Sequence, residues 1–204
     1  MQRPAKVRVI PVRRKEDRAD HIYRVAADVM CQKGYEATSM NDIADAVGLT
    51  KAGIYHYIRG KEDLLFQIMG FGMDMVYEDV IAPAKEIADP EERLRAIARR
   101  HATRILEAGG AVTILLTDDM HALSPAHSRA IFDRQRVYLH FIKETLESLG
   151  AQGKLRDIDP SIAAATILGM ICWLGRWYNS NGRMTSEEVV RDFVEMVMHS
   201  VVKD

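Results

Sequence analysis

Apolar residues recur at helical spacing through most of the chain, and no segment alternates apolar and polar residues as a half-buried strand does. Ile22, Val25, Ala26, Val29 and Met30 form one stripe and predict a first helix over 17–33, closed by Gly34. Ser39, with Asp42 three residues on, approximates a capping box, in which side chains satisfy the first free N–H groups of a helix. Ile43, Ala44 and Val47 give that short helix an apolar face, and Gly48 stops it. Thr50 caps the next helix, predicted over 51–58 with Ile54 and Ile58 turned inward. A longer helix is expected over 62–82, carried by Leu64, Leu65, Ile68, Met69, Met75 and Val76 and stopping near Pro83. Gly70 and Gly72 interrupt it at about 1 kcal/mol each, a cost that close helix packing explains better than flexing.

Beyond this point the starts are signposted by chemistry. Asp89, Ser124 and Asp159 each stand before a proline, the arrangement of a capping residue followed by proline at the first helical position. Thr185 and Glu188 form a second capping box. Helices follow over 90–108, 125–149, 160–178 and 185–202, with another over 111–122. The fold class is all-α, with about nine helices: a three-helix head and a helical body.

The head carries a specific pattern. Two short helices joined by a glycine-containing turn are the helix-turn-helix arrangement. Around its second helix, Thr50, Lys51, Tyr55, His56, Tyr57, Arg59 and Lys61 offer hydroxyl, imidazole and cationic groups. Such groups suit phosphate oxygens, and a helix fits the major groove. A surface helix that touches nothing is the competing reading. The run from Thr38 to Leu65, TSMNDIADAVGLTKAGIYHYIRGKEDLL, resembles the DNA-binding signature of TetR-family transcriptional repressors. The resemblance implies that Ser39 touches phosphate, and that Thr50, Lys51, Ala52 and Gly53 face bases or backbone. Tyr55 and Lys61 would hold phosphates, with His56 and Tyr57 along the groove. Gly53 departs from the Thr or Ser frequent in the family, and Arg59 with Gly60 replaces a small polar pair. The implied organisation is a basic arm over 1–16, a DNA-binding domain over 17–62 and a ligand-binding and dimerisation domain over 63–204. The implied function is a dimeric, ligand-responsive, cytoplasmic repressor of palindromic operator DNA.

Charge adds to this picture by its distribution. The net charge is only −1, but residues 1–18 carry seven Lys or Arg against Glu16 and Asp17. A basic arm suits phosphates or a minor groove; it suits a solubilising tail equally. Cys31 and Cys172 lie far apart without disulfide or zinc spacing, which fits a reducing compartment. No apolar signal segment follows the basic start, and the uncharged run from Pro160 to Gly175 is too short to cross a bilayer, so no membrane partner is expected.

The helices over 160–178 and 185–202 are apolar on several faces, which predicts a homodimer through these last two helices. Trp173, Arg176 and Trp177 share one helix face, and an arginine among aromatics suits a phosphate or carboxylate on an apolar group. Tryptophans in the core and an ion-paired Arg176 are the plainer reading. The Trp173, Arg176, Trp177, Tyr178 run, with Arg134 and Arg136 before it, looks like a subgroup of the family that senses acyl-CoA thioesters. That likeness implies an effector site of Arg134, Trp173, Arg176 and Trp177, with arginines at the CoA phosphates; a small hydrophobic effector would not need them. Asp118 and His121 stand three apart, near Asp119 and His127, but the helix start at Ser124 breaks any metal geometry, so no metal is expected. His101, His140 and His199 have no partner legible in sequence. No nucleophile elbow, phosphate loop, dinucleotide fingerprint or paired-histidine zinc motif is present, so neither catalysis nor a cofactor is expected. A small all-α carrier or enzyme, and a transcriptional activator, are the alternatives.

Overall fold

The computed structural model describes residues 15–107 and 118–203. The described residues form helices α1 (Lys15–Lys33), α2 (Met40–Val47), α3 (Lys51–Ile54), α4 (Lys61–Val76), α5 (Ala82–Lys85), α6 (Pro90–Glu107), α7 (Pro125–Ala151), α8 (Pro160–Trp177) and α9 (Ser186–Val201). The arm predicted over 1–16 lies almost wholly outside the described residues, as does most of the helix predicted over 111–122. Of the latter, Asp118–Ala122 is a single 3₁₀ turn.

The head packs α1 on α2 and α4. Ile22, Ala26 and Met30 of α1 share a buried core with Ile43, Ile54 and Leu65. Ser39 caps α2 as expected, with both halves of the box formed to Asp42, and Gly48 ends it at φ 73°, a left-handed conformation that glycine adopts without strain. The helix predicted over 51–58 is shorter than expected. Regular α-structure stops at Ile54, and the tighter bond from the Tyr57 N–H to the Ile54 carbonyl, 2.9 Å, carries the chain to buried Ile58. The aromatic and β-branched run after Gly53 is a poor helix former, and the inward pull of Ile54 and Ile58 decides the path instead.

Pro83 does not end the long helix as predicted. Tyr77–Ile81 takes one residue more per turn, in π-helical register, and the chain continues as α5 to Lys85. The Ala82 N–H reaches back five residues to the Tyr77 carbonyl. A proline at 83 cannot bond the Asp79 carbonyl. Arg100 Nη1 of α6 takes that oxygen at 3.4 Å, and Arg104 Nη2 pairs with the Asp79 carboxylate.

In the body α6 is central, packed by α7, α8 and α9. Its buried positions Leu94, Ile97, Ala98, His101, Ala102 and Ile105 follow the helical repeat on one wide face. The C-terminal end is tied down where Lys203 donates to the Lys154 carbonyl and Arg156 to the Val201 carbonyl, each at 2.8 Å.

Candidate functional site

The head presents a polar edge. Thr50 Oγ1 accepts from the Gly53 N–H at 3.1 Å and fixes the first turn of α3; a Cβ at Gly53 would sit 3.3 Å from that same oxygen. Lys51, Ala52, Tyr55 and His56 are exposed and Tyr57 half-buried along this edge. Not every residue expected at phosphates is equally free. The Ser39 hydroxyl donates to Asp42 at 2.5 Å, and Lys33 Nζ meets the other Asp42 oxygen at 2.5 Å. These partners hold the Asp42 carboxyl far below the usual carboxylate range. Lys61 Nζ donates to the Glu36 carbonyl at 3.1 Å and lies 4.2 Å from the Tyr35 ring centroid, so it braces the head. Lys51 extends without such a partner in the described structure.

The polar edge of the head is one turn from α4, and α4 is fastened to α7 at two places. At the head end, Glu62 Oε1 accepts from the Ser124 N–H and meets His127 Nδ1, both at 2.8 Å, while Phe66 stacks on the His127 ring at 3.9 Å. The bond from Ser124, at the start of α7, is the chief cause that holds the Glu62 carboxyl below its ordinary value. Further along, Arg134 Nη1 donates to the Gly70 carbonyl at 3.1 Å and Nη2 pairs with Asp74. A Cβ at Gly70 would stand 3.8 Å from Arg134 Nη1, an ordinary contact, so the close packing expected from sequence is not what requires a glycine here.

Between α4, α6, α7 and α8 lies a cavity of about 360 Å³. Met73, Val76, Phe132, Leu139 and Leu168 give it an apolar wall. Its depth holds a buried polar pair, His101 and Tyr138, bonded Nδ1 to Oη at 2.9 Å. Burial pushes the His101 pKa down to about 4 and the Tyr138 hydroxyl up, so both are neutral at pH 7. Burial also raises the Cys172 thiol to about 11, which keeps it protonated and poorly nucleophilic. Gln135 and Arg136 supply further polar groups, and the Arg136 side chain is 82% exposed.

The four residues expected at an effector do not gather here. Arg134 is engaged with α4. Trp173 and Trp177 are 60% and 54% exposed on the outward side of α8, opposite Leu168 and Cys172, which line the cavity. Arg176 stacks over the Trp173 ring at 5.8 Å on that outward side. α8 turns Trp173 and Trp177 away from this cavity, toward a second hollow against α9 that Leu174, Phe193 and Met196 also line; Leu168 and Cys172 mark the inward face, and Arg176, four residues further along that row, leans back over Trp173. The histidines without legible partners have them: His101 with Tyr138, His140 with Glu144 at 3.2 Å, His199 with the Glu195 carbonyl at 2.8 Å. Among the described residues no group of three potential ligands could hold a metal.

A helix-turn-helix head on an all-α body with a half-open apolar cavity defines a ligand-binding DNA-regulator architecture. Two family models match the chain: "Bacterial regulatory proteins, tetR family" over 22–68, and "Tetracyclin repressor-like, C-terminal domain" over 88–201. The chain belongs to the TetR family of bacterial regulatory proteins. A solved structure of AibR in complex with isovaleryl coenzyme A and operator DNA is 37% identical, covering 88% of this chain and 97% of that one at a TM-score of 0.81. PfmR from Thermus thermophilus is 31% identical, covering 87% and 97% at a TM-score of 0.79. The transcriptional repressor KstR2 of Mycobacterium tuberculosis is 23% identical over 191 residues, 92% of this chain and 94% of its own.

Proposed function

We propose that this protein is a homodimeric repressor that binds a palindromic operator and is released by a small hydrophobic effector carried as an acyl-CoA thioester. The observation that carries the reading is mechanical. The DNA-facing edge from Thr50 to Tyr57 runs directly into α4, and α4 is bonded through Glu62 and Gly70 to α7, which lines the cavity. A ligand that favours one position of α7 therefore biases the tilt of α4 and the setting of the head. AibR, whose solved complex holds both isovaleryl coenzyme A and operator DNA, supports both ends of the reading. The acyl group belongs in the cavity, and Arg136 at its exposed side suits the CoA phosphates.

The dimer in this reading uses the outward faces of α8 and α9. Trp173, Trp177, Ile162 and Met196 are all more than half exposed there, a patch that water alone covers poorly. Two-fold pairing places two heads at half-sites about one DNA turn, ~34 Å, apart. Lys51, Tyr55 and His56 are the side chains assigned to DNA, with Thr50, Ala52, Gly53 and Tyr57 lining the approach and Ser39 and Lys61 setting its frame.

The test is a titration of the full-length protein onto DNA upstream of its own gene at near-physiological salt, with and without a panel of acyl-CoAs and free acids. Tight, salt-sensitive binding relieved by one CoA thioester is the expected result. Binding that no panel member relieves would sink the acyl-CoA assignment while leaving the repressor. In parallel, Trp173→Glu with Trp177→Glu should convert a sedimenting dimer to monomer; an unchanged dimer would move the interface elsewhere.

A further inference from the structure

The cavity is apolar except for a few groups, and the buried one is a matched pair. Tyr138 and His101 are neutral, and each has one hydrogen on its polar atoms. Their mutual bond at 2.9 Å uses one of the two hydrogens. If the Tyr138 hydroxyl donates to Nδ1, the imidazole keeps an Nε2–H. If the imidazole donates from Nδ1, the Tyr138 O–H is left over. Either way one donor hydrogen remains, so the conclusion does not depend on the tautomer. His101 Nε2 has no hydrogen bond to any described residue, and no described side-chain nitrogen or oxygen sealed from solvent lacks a partner. Nε2 therefore meets open space, and the open space at His101 is the cavity that it lines.

Gln135 and Arg136 are not buried, so among the buried residues of the cavity the pair offers a single neutral donor, and that donor selects its acceptor. A carboxylate would have to shed its water for one uncharged hydrogen bond, with no cation at the depth of the pair to repay the loss. A hydrocarbon would leave the donor unpaired in a dry site. A neutral carbonyl oxygen satisfies the donor and loses little on leaving water. We propose that the His101–Tyr138 pair is the specificity element of the effector cavity and reads a neutral carbonyl oxygen, as in a thioester or a ketone, on an otherwise apolar ligand. This deepens the effector reading above and rests on that cavity being the effector site.

The test compares ligands that differ only in that oxygen, on the full-length protein by calorimetric titration. Isovaleryl-CoA is set against isopentyl-CoA, the thioether in which a methylene replaces the carbonyl. The thioester should bind about five- to tenfold tighter, the worth of one neutral hydrogen bond. The preference should vanish in a variant combining His101→Leu with Tyr138→Phe. Equal binding of the two compounds by the wild-type protein, or a preference that survives in the variant, would overturn the assignment. The wild-type comparison stands even where the variant fails to fold. If neither CoA compound binds, the CoA reading fails, and a medium-chain methyl ketone set against the 1-alkene of equal length decides the pair on its own. Preference for the ketone supports it, and equal binding overturns it.

Discussion

Cutting the fastening between α4 and α7 at Glu62 should loosen the protein and deafen it to its effector. Glu62→Ala removes the acceptor of the Ser124 N–H and the partner of His127 Nδ1, both at 2.8 Å. A hydrogen bond to a charged group contributes about 1.5–3 kcal/mol, and the partly exposed contact with the His127 ring adds about 0–1. The Glu62 side chain is 36% exposed, so water screens both contacts and brings the sum to about 2 kcal/mol. Glu62→Gln keeps the shape and one neutral acceptor, and should lose about 1 kcal/mol. Urea denaturation followed by circular dichroism measures both. The pH dependence follows from the depressed Glu62 pKa: its stabilisation is complete above the unfolded carboxyl value and is lost as pH falls through the lower, folded one. The gap between wild type and Glu62→Gln should therefore be full at pH 7 and shrink below about pH 4. Operator affinity without effector should hold, while the effector-induced loss of affinity, typically worth ~1–3 kcal/mol in such coupled systems, should fall. An alanine variant with wild-type stability and wild-type release would refute the linkage.

Other outcomes follow from single contacts. Lys51→Ala should lower the dependence of log affinity on log salt by about 0.9, one phosphate contact, without moving the melting temperature. Lys61→Ala should lower the melting temperature as well, because it abandons the Glu36 carbonyl and the Tyr35 ring; an unchanged melting curve would argue against that brace. His101 titrates near 4 when folded against about 6.5 when unfolded, so the unfolded chain takes up the proton first and stability should fall by a few kcal/mol as pH drops across that window. His101→Leu should flatten that slope, as read by thermal melts at stepped pH. Arg176→Ala should leave effector affinity unchanged, since Arg176 stacks outside the cavity.

Sequence alone was most informative where the determinants are local. Ser39 with Asp42, and Thr185 with Glu188, each lie within one helical turn, and both boxes form. The all-α class follows from helical periodicity that needs no partner to be seen. Determinants separated in sequence were opaque. His101 and Tyr138 lie 37 positions apart, and Glu62 and His127 lie 65 apart, so neither pair has a pattern to betray it. The Trp173 cluster shows the intermediate case: periodicity identified a shared face, while only packing against α6 and α7 decides which face looks inward. At Pro83, the local rule for helix breaking gave way to a π-turn that carries the chain on, with Arg100 reaching the Asp79 carbonyl and Arg104 its carboxylate from α6.

The π-helical turn at Tyr77–Ile81 also acts as a phase setting. An α-helix advances about 100° per residue, and the π-turn absorbs one extra residue in a single wider turn, so the residues beyond it keep roughly the phase of a regular helix one residue shorter. Leu64, Leu65 and Ile68 face the head core on one side of this step, and Ala84 faces the body core on the other. Deleting a single residue from 77–81 would restore regular winding and leave Ala84 close to its seat, whereas winding the full-length segment as a regular α-helix would rotate Ala84 by roughly 100°. A one-residue deletion within the turn preserves the angle between the two ends; tightening the turn to regular winding without a deletion changes it, even though no side chain at either end has been touched.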